Sequence, residues 1–118
     1  MMINILGTFY TVLIKKYDED NIFEESAIGG YCDGNAKEIV VCDYHTLKGW
    51  ENAPERSIIQ AQRETLRHEI VHAFFNESGL KSSSNCYEDA WAKNEEMIDW
   101  IAIQGEKIYK AWKEAEAV

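Results

Sequence analysis

His68-Glu69-Ile70-Val71-His72 sets two imidazoles four residues apart, with a carboxylate beside the first. On a helix, at about 100° per residue, that step leaves the rings about 40° apart in azimuth and one turn apart in height, so both reach one ion. Zinc suits such a pair. Glu69 supplies what hydrolysis needs beside it, a base for water that the ion has acidified to a pKa of about 7. Two imidazoles do not complete the site, because a hydrolytic zinc takes a third protein ligand and leaves its fourth position to water. Glu95 is the candidate, standing on one line with Trp91, Ile98, Ala102, Tyr109 and Trp112 along a later helical segment. A carboxylate in an apolar stripe is costly to bury unless a cation meets it, and zinc is the available cation. Glu96 is turned about 100° from that line and fits less well. Asp99, one turn on from Glu95, is placed to accept a hydrogen bond from the free nitrogen of a ligating histidine.

The elements that must position these groups are legible around them. Pro54 to Asn76 reads as one helix of about 23 residues with no internal Gly or Pro, Asn52 as its N-cap, Pro54 in its first turn and Gly79 at its end. Ala61, Thr65, His68, His72 and Phe75 share one stripe, with Val71 at its edge, so both histidines are expected to face the interior. A second long helix is expected from Glu88 to about Ala115. Upstream, Ile3 to Ile14 reads as a strand with Gly7 as a bulge, followed by a charged turn from Lys15 to Asp20. Ser26 to Tyr31 reads as a second strand, Cys32-Asp33-Gly34-Asn35 as a turn, and Lys37 to Tyr44 as a third strand.

With the first motif, Asn94-Glu95-Glu96-Met97-Ile98-Asp99 makes a pattern that resembles the HExxH plus NExxxD signature of thermolysin-like gluzincins. That resemblance implies Glu95 as third zinc ligand and Asp99 as the partner of His68. In size and element order the chain is similar to the small ImmA/IrrE-type metallopeptidase domains of phages and mobile elements. The fold so implied is α+β, a minimal zincin-like domain with a small, mostly antiparallel N-terminal sheet of about three strands packed on two long helices. The function implied is a zinc metallopeptidase that hydrolyses a peptide bond in an intracellular protein, with Glu69 as general base. In zincins the strand before the metal helix forms the edge that pairs with an extended peptide, and Lys37 to Tyr44 holds that place; an ordinary core strand is the equal alternative. Such an enzyme also needs a donor for the oxyanion of the tetrahedral intermediate. His45 is the candidate, with Tyr31, Tyr44 and Tyr87 as the other groups of suitable chemistry. The rival function is a zinc-containing regulatory module acting by protein contact without hydrolysis, which has no need of Glu69.

Composition agrees with one domain over residues 1–118. At 46% hydrophobic, with four Trp, six Tyr and four Phe, the chain can bury one core and has no room for a second lobe. A net charge of −9 argues against a nucleic-acid phosphate surface, and the resemblance implies a protein or peptide as partner. Cys32, Cys42 and Cys86 are odd in number and lack CxxC spacing, which points to reduced thiols. Met1 to Ile14 has neither a basic leader nor the length of a membrane span, so a cytoplasmic protein is expected, in the host cytoplasm if phage-encoded. Two imidazoles and a carboxylate also suit iron, manganese, cobalt or nickel.

Overall fold

The computed structural model describes residues 1–79, 81, 94–115 and 118. Strands β1 (Met2–Ile5) and β2 (Thr8–Lys15) are followed by a 3-10 turn at Tyr17–Glu19 and the short helix α1 (Ile22–Glu25). Strands β3 (Gly30–Asp33) and β4 (Glu38–Cys42) come next, then the long helices α2 (Glu55–Glu77) and α3 (Glu95–Glu114). The architecture is α+β as expected, but the sheet has four strands in the order β1-β2-β4-β3. β1 pairs antiparallel with β2 and β3 antiparallel with β4, whereas β2 and β4 run parallel.

The count of three strands fails at Gly7. Leu6 and Gly7 both adopt positive φ, 52° and 94°, and turn the chain between Ile5 and Thr8, which are directly paired. This is a two-residue hairpin turn in which both central residues are left-handed, and no bulge is involved. Of the two readings of Lys37 to Tyr44, edge strand or core strand, the sheet has the second. Glu38–Cys42 lies between β2 and β3, and Ile39, Val40, Val41 and Cys42 are all buried. An unbroken apolar run is what a strand covered on both faces requires, whereas an edge strand beside solvent would alternate. Among the described strands, the edge on this side is β3.

The two faces of the sheet explain that burial. Ile5, Tyr10, Val12, Ile39 and Val41 point to one side, where Leu66, Ile70 and Ala73 of α2 pack on them. Val40 and Cys42 point to the other, joined by Phe23, Tyr44, Leu13, Tyr17 and Trp50, with Ile58 of α2 reaching this cluster. Helix α2 begins one residue later than the proline at its head, because Pro54 holds the extended N-cap position (φ −60°, ψ 144°) and its carbonyl accepts the first helical N–H groups. Asn52 lies outside the helix and does not cap it. At the other end Gly79, at φ 82°, lets the chain turn away, as a helix-terminating glycine does. Glu77 fastens this end to the sheet, accepting hydrogen bonds from Thr8 Oγ1 at 3.0 Å, Tyr10 Oη at 2.7 Å and Lys37 Nζ at 2.5 Å.

Helix α3 packs chiefly on α2, with Ile98 and Ala102 buried between them and Arg67 Nε donating to the Ala102 carbonyl at 2.7 Å. Its start is set by Asn94, whose Oδ1 accepts from the Met97 N–H at 2.8 Å, the geometry of an N-cap. The helix expected from Glu88 therefore begins at Glu95, and residues 88–93 with Trp91 lie outside the described residues. Tyr109 is exposed, so the C-terminal end of α3 does not bury it as the stripe predicted. Among the described residues no helix is long and apolar enough to cross a membrane.

Candidate metal centre

The histidines and carboxylates read from the sequence meet where α2 passes the N-terminal turn of α3. His68 Nε2 and His72 Nε2 stand 3.0 Å apart. Glu95 caps the pair, its Oε2 3.2 Å from His68 and its Oε1 3.4 Å from His72. Asp99 Oδ1 lies 2.5 Å from His68 Nδ1. A carboxylate can only accept, so Nδ1 carries the proton and the Nε2 lone pair is turned toward His72 and Glu95. Glu69 lies on the inner side with Oε1 3.9 Å from His68 Nε2. His68, Glu69 and His72 alone offer three ligand atoms within 4.8 Å of one another, a group able to hold a metal ion.

The donor set suits a small divalent cation. Two imidazoles and a carboxylate at 2.0–2.1 Å from a tetrahedral ion would stand about 3.3 Å from one another. The separations here are 3.0, 3.2 and 3.4 Å. Three carboxylates, those of Glu69, Glu95 and Asp99, surround two imidazoles, a set of donors that could hold a cation.

Burial within the centre differs from the sequence reading. Glu69 is the buried member, at 6% exposure, while the His68 and His72 side chains retain 20% and 25%. The face of α2 turned to the sheet carries Ile58, Leu66, Glu69 and Ala73, one residue step from the expected stripe, because α2 must serve two neighbours. The histidines fall on the seam between the sheet and α3. Glu95 is not buried either. Its side chain is 64% exposed, since it is the first residue of α3 and stands above the buried Ile98 and Ala102. The direction of Glu95 was legible from helical spacing, but the burial cost used to argue for it does not apply.

Electrostatics follow from these positions. Burial pushes the Glu69 carboxyl up to about 7; the positive field of His68 opposes this and the charges of Glu95 and Asp99 add to it. Burial pulls His72 below its ordinary value, against the attraction of Glu95. A bound cation would act the other way on Glu69 and return it toward an ionised carboxylate.

The centre opens into a cavity of about 550 Å³, walled by Ile28, Gly30, Tyr31 and Cys32 on one side and Phe75, Asn76 and Lys81 beyond His72. Gly30 is needed there. A Cβ on it would come within 2.8 Å of Thr65 Cγ2 and 3.0 Å of the Val40 carbonyl, so only glycine lets β3 approach α2 beside Glu69. Sequence reasoning missed Ile28, Cys32, Asn76 and Lys81. The adjacent Gly29-Gly30 pair was the available signal, as strand glycines mark close backbone approach.

The structure does not bring His45 to the centre. Its Nδ1 is 2.8 Å from Asp43 Oδ1 and its Nε2 2.9 Å from Glu55, so it ties the loop after β4 to the first turn of α2. Tyr31 lines the cavity, but its hydroxyl donates to Asp20 at 2.7 Å. The Tyr44 hydroxyl is held 2.6 Å from Thr65 Oγ1 behind Gly29. Tyr87 and Cys86 lie outside the described residues.

No family model, curated protein or solved structure matches this chain.

Proposed function

We propose that the chain is a zinc-dependent peptidase in which His68, His72 and Glu95 hold the metal and Glu69 is the general base. One observation carries this reading. Two imidazole nitrogens and a carboxylate converge at 3.0 to 3.4 Å in the mouth of a cavity, with a fourth, buried carboxyl beside them that is not needed to hold an ion. When bound, zinc polarises a carbonyl and acidifies water. The remaining work falls to the chain. Asp99 holds the His68 ring in the tautomer that presents Nε2, and Glu95 reaches both histidines from α3. Glu69, fixed between α2 and Gly30, takes a proton on its carboxylate from the attacking water and returns it to the leaving amine.

The resemblance to gluzincin and ImmA/IrrE-type peptidases points the same way, toward a protein or peptide substrate. Among the described strands, the edge that an extended peptide could pair with beside the cavity is β3, whose Gly30, Tyr31 and Cys32 line it. The test is elemental analysis of the purified chain beside Glu95→Ala and Glu96→Ala. About one zinc per chain, lost in Glu95→Ala and kept in Glu96→Ala, is expected. Wild-type protein that takes up no metal when zinc is supplied would refute the assignment.

A further inference from the structure

Among the described lining residues of the cavity, Glu69 and Glu95 supply negative charge and Lys81 is the one ammonium group. In a chain of net charge −9, this exposed lysine shares its cavity with two carboxylates. Lys81 forms no ion pair among the described residues, and it lines the same cavity as Cys32 and His72, near enough for its charge to act on both. Its surroundings are those of a side-chain subsite. Ile28 and Phe75 are apolar, the Tyr31 hydroxyl is occupied by Asp20, and the Asn76 amide, one turn beyond His72, donates to Cys32 Sγ at 3.6 Å.

We propose that Lys81 is a specificity-determining residue that receives a carboxylate of the substrate in the part of the cavity beyond His72. This deepens the peptidase reading and rests on it. Apart from the ion that the peptidase reading places on His68, His72 and Glu95, Lys81 is the one cationic group among the described lining residues that an entering carboxylate would meet. Lys81 therefore favours an anionic group in the part of the cavity beyond His72. The carboxylate has two sources, an Asp or Glu side chain near the scissile bond or the C-terminus of the peptide. Charge pairing in a partly desolvated pocket favours the acid over its amide by about three- to tenfold.

The test uses the whole chain loaded with zinc and a defined mixture of synthetic peptides. One position carries Asp, Glu, Asn, Gln, Lys or Arg, and each peptide is made with a free and with an amidated C-terminus. Cleavage is read by mass spectrometry for wild type, Lys81→Gln and Lys81→Glu. Faster cleavage of Asp and Glu peptides regardless of the terminus assigns the side chain, and faster cleavage of free-terminus peptides alone assigns the C-terminal carboxylate. Either preference should vanish in Lys81→Gln and turn toward Lys and Arg in Lys81→Glu. A preference unchanged by both substitutions, or cleavage without any carboxylate preference, overturns the proposal. Failure of the peptidase reading shows separately, as no cleavage by zinc-loaded wild type. Retention of the same peptides on immobilised zinc-loaded Glu69→Gln and on Glu69→Gln/Lys81→Glu then decides. Acidic peptides held by the first and released by the second support Lys81 as the carboxylate receptor, and equal retention refutes it.

Discussion

Glu69 is the residue whose position a stable fold alone would not choose. Its carboxyl is buried and pushed up to about 7 from 4.5, so the folded chain holds a proton that the unfolded chain releases above pH 4.5. For a raised carboxyl, stability falls as pH rises from 4.5 to about 7 and stays reduced above that. Glu69→Gln should therefore stabilise the metal-free protein at pH 8 by up to about 3 kcal/mol in urea denaturation, while abolishing hydrolysis and retaining zinc. Unchanged stability would mean that the buried carboxyl carries no such cost. Asp99→Ala removes the hydrogen bond that orients His68 and should weaken zinc about 10- to 100-fold in competition with a chelator. His68, Glu69, His72, Glu95 and Asp99 were all legible because helical spacing is local arithmetic. The place of His45 was not, since Asp43 and Glu55 hold it through contacts between a loop and a helix end.

At the scale of elements, β3 and α2 meet only because Gly30 has no side chain. Gly30→Ala would force its Cβ against Thr65 and the Val40 carbonyl, and should cost about 1–3 kcal/mol of stability, read as a lower denaturation midpoint. Thr65→Ser removes one of the two obstructing atoms and should recover part of that loss. The opposite effect is expected at the β1-β2 turn. Leu6 sits at φ 52°, which a branched apolar side chain tolerates poorly, so Leu6→Asn should stabilise by about 0.5–1 kcal/mol. The span of α2 was readable to within a residue from Pro54 and Gly79, because helix ends are marked locally. Strand order was not, although the unbroken Ile39-Val40-Val41-Cys42 run held the hint that β4 lies inside the sheet.

For the molecule as a whole, Glu77 links the end of α2 to three strand or turn residues, Thr8, Tyr10 and Lys37. The hydrogen bond from Lys37, then that from Tyr10, holds its carboxyl below the ordinary 4.5. Its contribution is thus fully present above pH 4.5 and is lost as pH falls through the lower folded-state value. Glu77→Gln should be less stable than wild type at neutral pH and show a shallower loss of stability below pH 4.5 in acid titration followed by circular dichroism. Zinc should act on the fold at the same scale, because the ligands proposed for it come from two helices. At about 100 times the dissociation constant it should add about 2.7 kcal/mol to the unfolding free energy, seen as a raised Tm that His68→Ala abolishes.

The sequence by itself determined the spacing of the candidate ligands and the helices on which they ride. The spacing of His68, Glu69 and His72, and of Glu95 and Asp99, is set by the helical repeat and needs no knowledge of the rest of the chain. The tertiary structure decided what that repeat leaves open: that Glu69 and not the histidines is buried, that β3 and not β4 is the edge among the described strands, and that Lys81 and Asn76 join the cavity while His45 does not. These outcomes depend on which face of α2 meets the sheet and which meets α3, and on a parallel pairing of strands distant in sequence. Contacts of that kind are chosen by the packing of the whole core, so no local pattern records them.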